Sequence, residues 1–246
     1  MSTGPPRPTD ATAGGALARR AVAELVGTGF LVAAVIGSGI AASRLSPDNV
    51  GFQLLVNSLV TGAVLVALIL ALQPVSAAFN PVVTLVERAF GLISSGAAAA
   101  LVVAQVVGGI VGALVANLMF DLDAVSIAST DRAGTNLWLG EVVATLGLVV
   151  VVFGSLRAAA TSTVAFAVGG YITAAYWFTS STSFANPAVT VARMFSDTFA
   201  GIAPSSVPTF VLMQLLGGAI AAVLVVFLYP GATTGRVPTD ADAQEI

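Results

Sequence analysis

Residues 49–86 contain no charged side chain across 38 positions. A membrane-crossing helix needs ~20 apolar residues, so this interval is too long for one crossing and too short for two crossings with a loop. Pro74 and the pair Asn80-Pro81 interrupt it. Asn followed by Pro marks a helix start: the Asn side chain caps free backbone N–H groups, and Pro occupies the first helical position, where no N–H is needed. The interval therefore divides into a full span over about 50–72, a short loop and a half-length helix from Pro81. Residues 158–192 are also free of charge and repeat the arrangement, with a span near 160–178, a Ser/Thr-rich loop at 179–183 and a half-helix from Pro187, after Asn186. Residues 25–43, 94–119, 137–156 and 207–229 supply four more spans. A half-helix of ~9 residues is ~13 Å long, so two placed end to end cover most of a ~30 Å hydrocarbon core.

The fold class expected is an all-α membrane protein with six transmembrane helices and two re-entrant half-helices. Composition agrees: 57% of the 246 residues are hydrophobic and 9% are charged, which makes the bilayer the solvent. The chain has no Cys and no His, which removes the thiolate nucleophile, the commonest general base and the usual soft-metal ligands. No cofactor, no metal and no enzymatic role are expected. Twelve acids against nine Arg exclude a basic nucleic-acid surface. Residues 1–18 and 230–246 read as disordered tails flanking a channel domain over 19–229. Placing both termini in the cytoplasm puts Arg7, Arg19, Arg20, Arg88, Arg157 and Arg236 on that side and Arg44, Arg132 and Arg193 outside, in keeping with the positive-inside rule at a cell membrane.

The halves match in order. Glu24 opens the first span and Glu141 the fourth; Gln105-Val-Val-Gly-Gly pairs with Gln214-Leu-Leu-Gly-Gly; Asn80-Pro81-Val82 pairs with Asn186-Pro187-Ala188. Three spans per half force the second repeat (about 137–229) to insert upside down relative to the first (about 19–120), an inverted repeat around a mid-membrane site. Gly108, Gly109 and Gly112, with Gly217, Gly218 and Ala221, are placed for close helix crossing. Trp138, Tyr176, Trp177 and Tyr229 fall near span ends and read as interfacial aromatics.

Twin Asn-Pro motifs, matched Glu residues and matched Gln-x-x-Gly-Gly segments resemble the major intrinsic protein family, the aquaporins and aquaglyceroporins. The run Asn186 to Phe195 resembles the bacterial branch found beside arsenic-resistance genes. The resemblance implies an aquaporin-like inverted repeat and a homotetramer in the bilayer with one pore per subunit. It also implies that Asn80 and Asn186 donate to a passing solute while the positive ends of both half-helices repel cations. Glu24, Glu141, Gln105 and Gln214 then support the half-helices.

Departures from the family pattern bear on selectivity. Water-selective members carry Arg three residues after the second Asn, where this chain has Val189. Arg193, two helical turns further along, is expected to miss that constriction. The remaining filter positions fall at Thr61 (or Val60), Ala175 (or Ala174) and Phe184 (or Ser183). Thr, Ala, Phe and Val make a wide, neutral, fairly apolar filter. It suits small uncharged solutes such as glycerol, urea or arsenic trihydroxide, with water selectivity or a secondary transporter as alternatives.

Overall fold

The computed structural model describes residues 10–157 and 161–229. Within them the chain forms α1 (Asp10–Leu45), α2 (Val50–Leu72), α3 (Pro81–Ala89), α4 (Ser95–Met119), α5 (Thr135–Ser155), α6 (Thr161–Phe178), α7 (Pro187–Arg193) and α8 (Val207–Leu228). Among the described residues, α1, α2, α4, α5 and α8 are each long and apolar enough to cross a membrane, and α6 adds a shorter apolar helix over Thr163–Phe178. Large apolar side chains such as Phe30, Val103, Phe166, Val223 and Phe227 face outward, as a protein solvated by hydrocarbon requires.

Local chemistry sets the boundaries. Asn49 Oδ1 accepts from Phe52 N–H at 2.9 Å to cap α2, and Ser94 Oγ accepts from Ala97 N–H at 3.2 Å to cap α4. Pro81, Pro187 and Pro208 sit in the first turns of α3, α7 and α8. One expectation fails at the N-terminus. Helix α1 already begins at Asp10, so residues 10–18 are helical and not an irregular tail. After Pro8 no proline interrupts the chain until Pro47, and Ala11, Ala13, Ala16 and Ala18 favour helix enough to outweigh Gly14 and Gly15. Residues 1–9 and 230–246 lie outside the described residues.

The repeat is visible in the packing. Helix α1 packs on α4, α5 packs on α8, and α2 meets α6 between these pairs. A Cβ on Gly108 would stand 2.1 Å from Leu25 O, and one on Gly217 would stand 2.5 Å from Val142 O. Leu25 follows Glu24 and Val142 follows Glu141, so the same backbone-to-backbone contact occurs once in each half. Following the helices in order, α3 points back to the face where α1 begins, and α7 points to the opposite face.

Candidate functional site

The two half-helices meet at their N-termini and hold each other there. Asn80 Oδ1 accepts from Val82 N–H at 2.9 Å, and Asn186 Oδ1 accepts from Ala188 N–H at 3.0 Å. The amides then cross: Asn80 Nδ2 donates to Ala185 O at 2.8 Å, and Asn186 Nδ2 donates to Phe79 O at 2.7 Å. These carbonyls belong to the residues just before the other motif. Phe79 and Ala185 take left-handed backbone conformations, φ 49° and 47°. Each non-glycine residue in that region costs ~1–2 kcal/mol.

Two buried carboxylates hold the strained turns. Glu24 accepts from Ala78 N–H (2.9 Å), Phe79 N–H (2.6 Å), Ser76 Oγ (2.5 Å) and Gln105 Nε2 (2.8 Å). Glu141 accepts from Phe184 N–H (2.9 Å), Ala185 N–H (2.9 Å) and Gln214 Nε2 (2.6 Å). The glutamines reach onward to the half-helices, Gln105 to Thr84 Oγ1 at 2.9 Å and Gln214 to Thr190 Oγ1 at 2.8 Å. Charge-assisted bonds to a carboxylate contribute ~1.5–3 kcal/mol each, enough to offset the backbone strain.

Between the half-helices lies a cavity of about 80 Å³ that touches Asn80 and Asn186. Each amide nitrogen carries a second N–H beyond the one bonded to the opposite loop. Much of the remaining wall comes from residues four apart on single helix faces: Thr61, Leu65 and Ile69 on α2, and Val164, Val168, Ile172 and Tyr176 on α6, with Leu31 and Val35 of α1 and Leu148 and Val152 of α5. Neither Glu24 nor Glu141 lines it, and no His/Cys/Asp/Glu group that could hold a metal is found among the described residues.

The expected filter positions separate. Thr61, Phe184, its alternative Ser183, and Val189 all line the cavity. Val60 does not, being 36% exposed on the outer face of α2. Ala175 and Ala174 do not line it either; in that last turn of α6 Tyr176 does, and its hydroxyl lies 3.1 Å from Thr61 Oγ1. Tyr176 is therefore a buried wall residue and not an interfacial aromatic. Its place was legible as the end of the Val164–Val168–Ile172 series, a stronger signal than nearness to the helix end.

Arg193 also departs from expectation. It is 2% exposed, lines the cavity with Phe184 and Val189, and carries its guanidinium 3.4 Å from the centroid of the Phe184 ring. Its Nε donates to Ala200 O. Helix α7 stops at Arg193, so the long side chain is free to fold back over the Phe184 loop, and counting turns from Asn186 misjudges its reach. Arg193 also borders a second cavity of about 200 Å³ on the face towards which α7 points, shared with Asn57, Arg132, Thr182 and Phe199.

Residues 13–162 match the family model described as Major intrinsic protein. The chain belongs to that family. It is 49% identical over 213 residues to "Aquaglyceroporin AqpS" of Rhizobium meliloti (strain 1021), covering 86% of this chain and 91% of that one. Among solved structures, "X-ray structure of the aquaglyceroporin from Plasmodium falciparum" superposes with TM-score 0.66 at 18% identity, covering 87% of this chain and 95% of that one. Within the family this chain is a multi-pass membrane channel protein, not an enzyme.

Proposed function

We propose that the chain is a passive channel for small uncharged solutes, glycerol-like polyols first, with arsenic trihydroxide, urea and water as further candidates. The observation that supports this best is the amphipathic wall beside the two Asn amides. The paired Thr61 and Tyr176 hydroxyls share that wall with Phe184 and Val189. A polyol presents hydroxyls along one edge and C–H groups along the other, so a wall of hydroxyl and apolar groups replaces its hydration, with the Arg193 guanidinium at the Phe184 end. The half-helix N-termini meeting at Asn80 and Asn186 repel cations at the same level. The similarity to a protein named as an aquaglyceroporin agrees with this choice of solute.

A transporter would require an ion-coupling group in the path. The buried acids Glu24 and Glu141 are instead occupied by loop N–H donors away from the cavity. The orientation proposed keeps both termini cytoplasmic. Arg19, Arg20, Arg88 and Arg157 then lie inside, whereas Arg44 and Arg132 outside are bonded to the carbonyls of Phe120 and Gly201. A homotetramer in the cell membrane remains part of the proposal. Proteoliposome swelling with glycerol, urea and arsenite as osmolytes tests the function. Solute-driven swelling unaffected by proton or sodium gradients is expected, and water flux with exclusion of glycerol and arsenite would refute it.

A further inference from the structure

The outer cavity carries two guanidinium groups, Arg132 and Arg193, of which Arg193 also borders the central cavity. Arg132, on the loop before α5, donates from Nε to Gly201 O at 2.9 Å and sits 5.0 Å from the Phe184 ring centroid. Arg193 comes from the end of α7, donates from Nε to the neighbouring carbonyl of Ala200 and lies against the same ring. Among the described residues their bonds go to carbonyls and to this ring, none to a carboxylate. The acids nearby are committed elsewhere. Asp131 accepts from Ser206 Oγ at 2.7 Å, Asp197 accepts from Ser129, and Glu141 is held by the loop N–H groups on the far side of residues 184–185. Burial pushes the Arg132 guanidinium down from its ordinary value, and the charge of Glu141 opposes that fall.

Each Nε is thus fixed by a carbonyl, which sets the plane of the guanidinium and leaves the outer nitrogens to face the cavity both residues line. Asn57 borders the same space, its Nδ2 held by Val35 O at 2.8 Å, and its carbonyl oxygen has no hydrogen to donate. Two fixed cations beside an apolar ring, at the entrance to a narrow low-dielectric path, attract anions and exclude cations. At ~30 Å³ per water, a space of about 200 Å³ admits an anion of a few heavy atoms.

We propose that Arg193 and Arg132 form an anion-recognising collar at the mouth of the pore. It holds small monoanionic oxyacids there, and it supplies from two new positions the cation barrier that Val189 cannot. Because Arg193 reaches the Phe184 ring from the end of α7 and Arg132 from the loop before α5, the barrier needs no cation at position 189. This inference rests on the reading of the cavity as a solute conduit.

The test uses full-length protein in proteoliposomes, with methanesulfonate, a monoanion that stays ionised at neutral pH, as the probe. In the parent, sodium methanesulfonate on the collar side should reduce glycerol flux saturably, whereas equiosmolar sucrose should not. In Arg193→Gln and in Arg132→Gln, each measured against its own unblocked flux, the half-blocking concentration should rise at least about fivefold. Sodium leak should rise about tenfold in Arg193→Gln, each factor of ten being ~1.4 kcal/mol in barrier. Arg193→Lys, which keeps the charge but loses the planar stack, should retain the sodium barrier. Should Arg193→Gln not reconstitute, Arg132→Gln on its exposed-edge loop carries the same comparison. A conducting parent that ignores methanesulfonate, or variants with parental block and parental sodium leak, would overturn the collar. A parent that passes no glycerol would instead refute the conduit.

Discussion

Around α3 and around α7 the chain uses the same parts, yet the far ends of the two half-helices have diverged. On both sides a Glu accepts from two consecutive loop N–H groups, a Gln bridges that Glu to a half-helix Thr, and an Asn amide bonds the opposite loop. At the end of α3, Arg88 is exposed and donates to Ser95 Oγ at 2.8 Å. At the end of α7, Arg193 is buried against Phe184 and the cavity. The bonds that hold a left-handed loop in apolar surroundings leave no freedom to vary, because an unpaired buried N–H or carboxylate is costly. The residues at the pore mouth carry no such duty and are free to set selectivity.

The largest test of this pairing removes the carboxylates. Glu24→Gln and Glu141→Gln each replace charge-assisted acceptors with a neutral amide, and each should destabilise the fold by about 3 kcal/mol. Thermal unfolding in detergent reads the effect. A large loss in one and none in the other would show that the halves are not held alike. Next come the glycine crossings, where Gly108→Ala and Gly217→Ala should each cost ~1–3 kcal/mol by overpacking. Gly108 should suffer more, because its new Cβ would meet Leu25 O at 2.1 Å against 2.5 Å from Gly217 to Val142 O. The reverse order would mean that α5 and α8 adjust less readily than α1 and α4.

A finer test uses a difference between the motifs. A Cβ on Gly218 would lie 2.2 Å from Val82 Cγ1, whereas one on Gly109 would meet Ala188 O and Ala192 Cβ at 3.2 Å and Val32 Cγ2 at 3.5 Å. Gly218→Ala should therefore be rescued by Val82→Ala with a coupling of ~1 kcal/mol in a double-mutant cycle, and Gly109→Ala should show no coupling to Val82. The smallest effect is at the wall. Tyr176→Phe removes the Thr61 contact, worth ~0.5–1 kcal/mol, and should alter glycerol flux by about twofold with little change in unfolding temperature.

Spans and breaks were legible because charge and proline are discrete marks in an apolar chain. The charge-free run at 49–86 required a break, and α3 begins at Pro81 after it. Filter positions were harder to read, since a shift of one residue rotates a helical side chain by 100°. Ala175 and Tyr176 differ by that single step, and only the four-residue spacing from Val164 settles which one faces inward. Arg193 is hard to place for another reason: linear counting gives where a Cα sits, not how far a long side chain folds back once its helix ends. The start of α1 is hard to read because Gly and Thr near the N-terminus obscure an alanine-rich run.

The absence of cysteine makes the chain a ready background for the most direct test of the conduit. Val189→Cys, in the cavity wall, and Ala175→Cys, one step out of it, are to be compared for glycerol flux before and after treatment with mercuric chloride. Loss of about nine-tenths of the flux in Val189→Cys, reversed by thiol, with Ala175→Cys and the parent unaffected, is the predicted result. Flux through a fully labelled Val189→Cys protein that equals the untreated rate would contradict the path between Asn80 and Asn186.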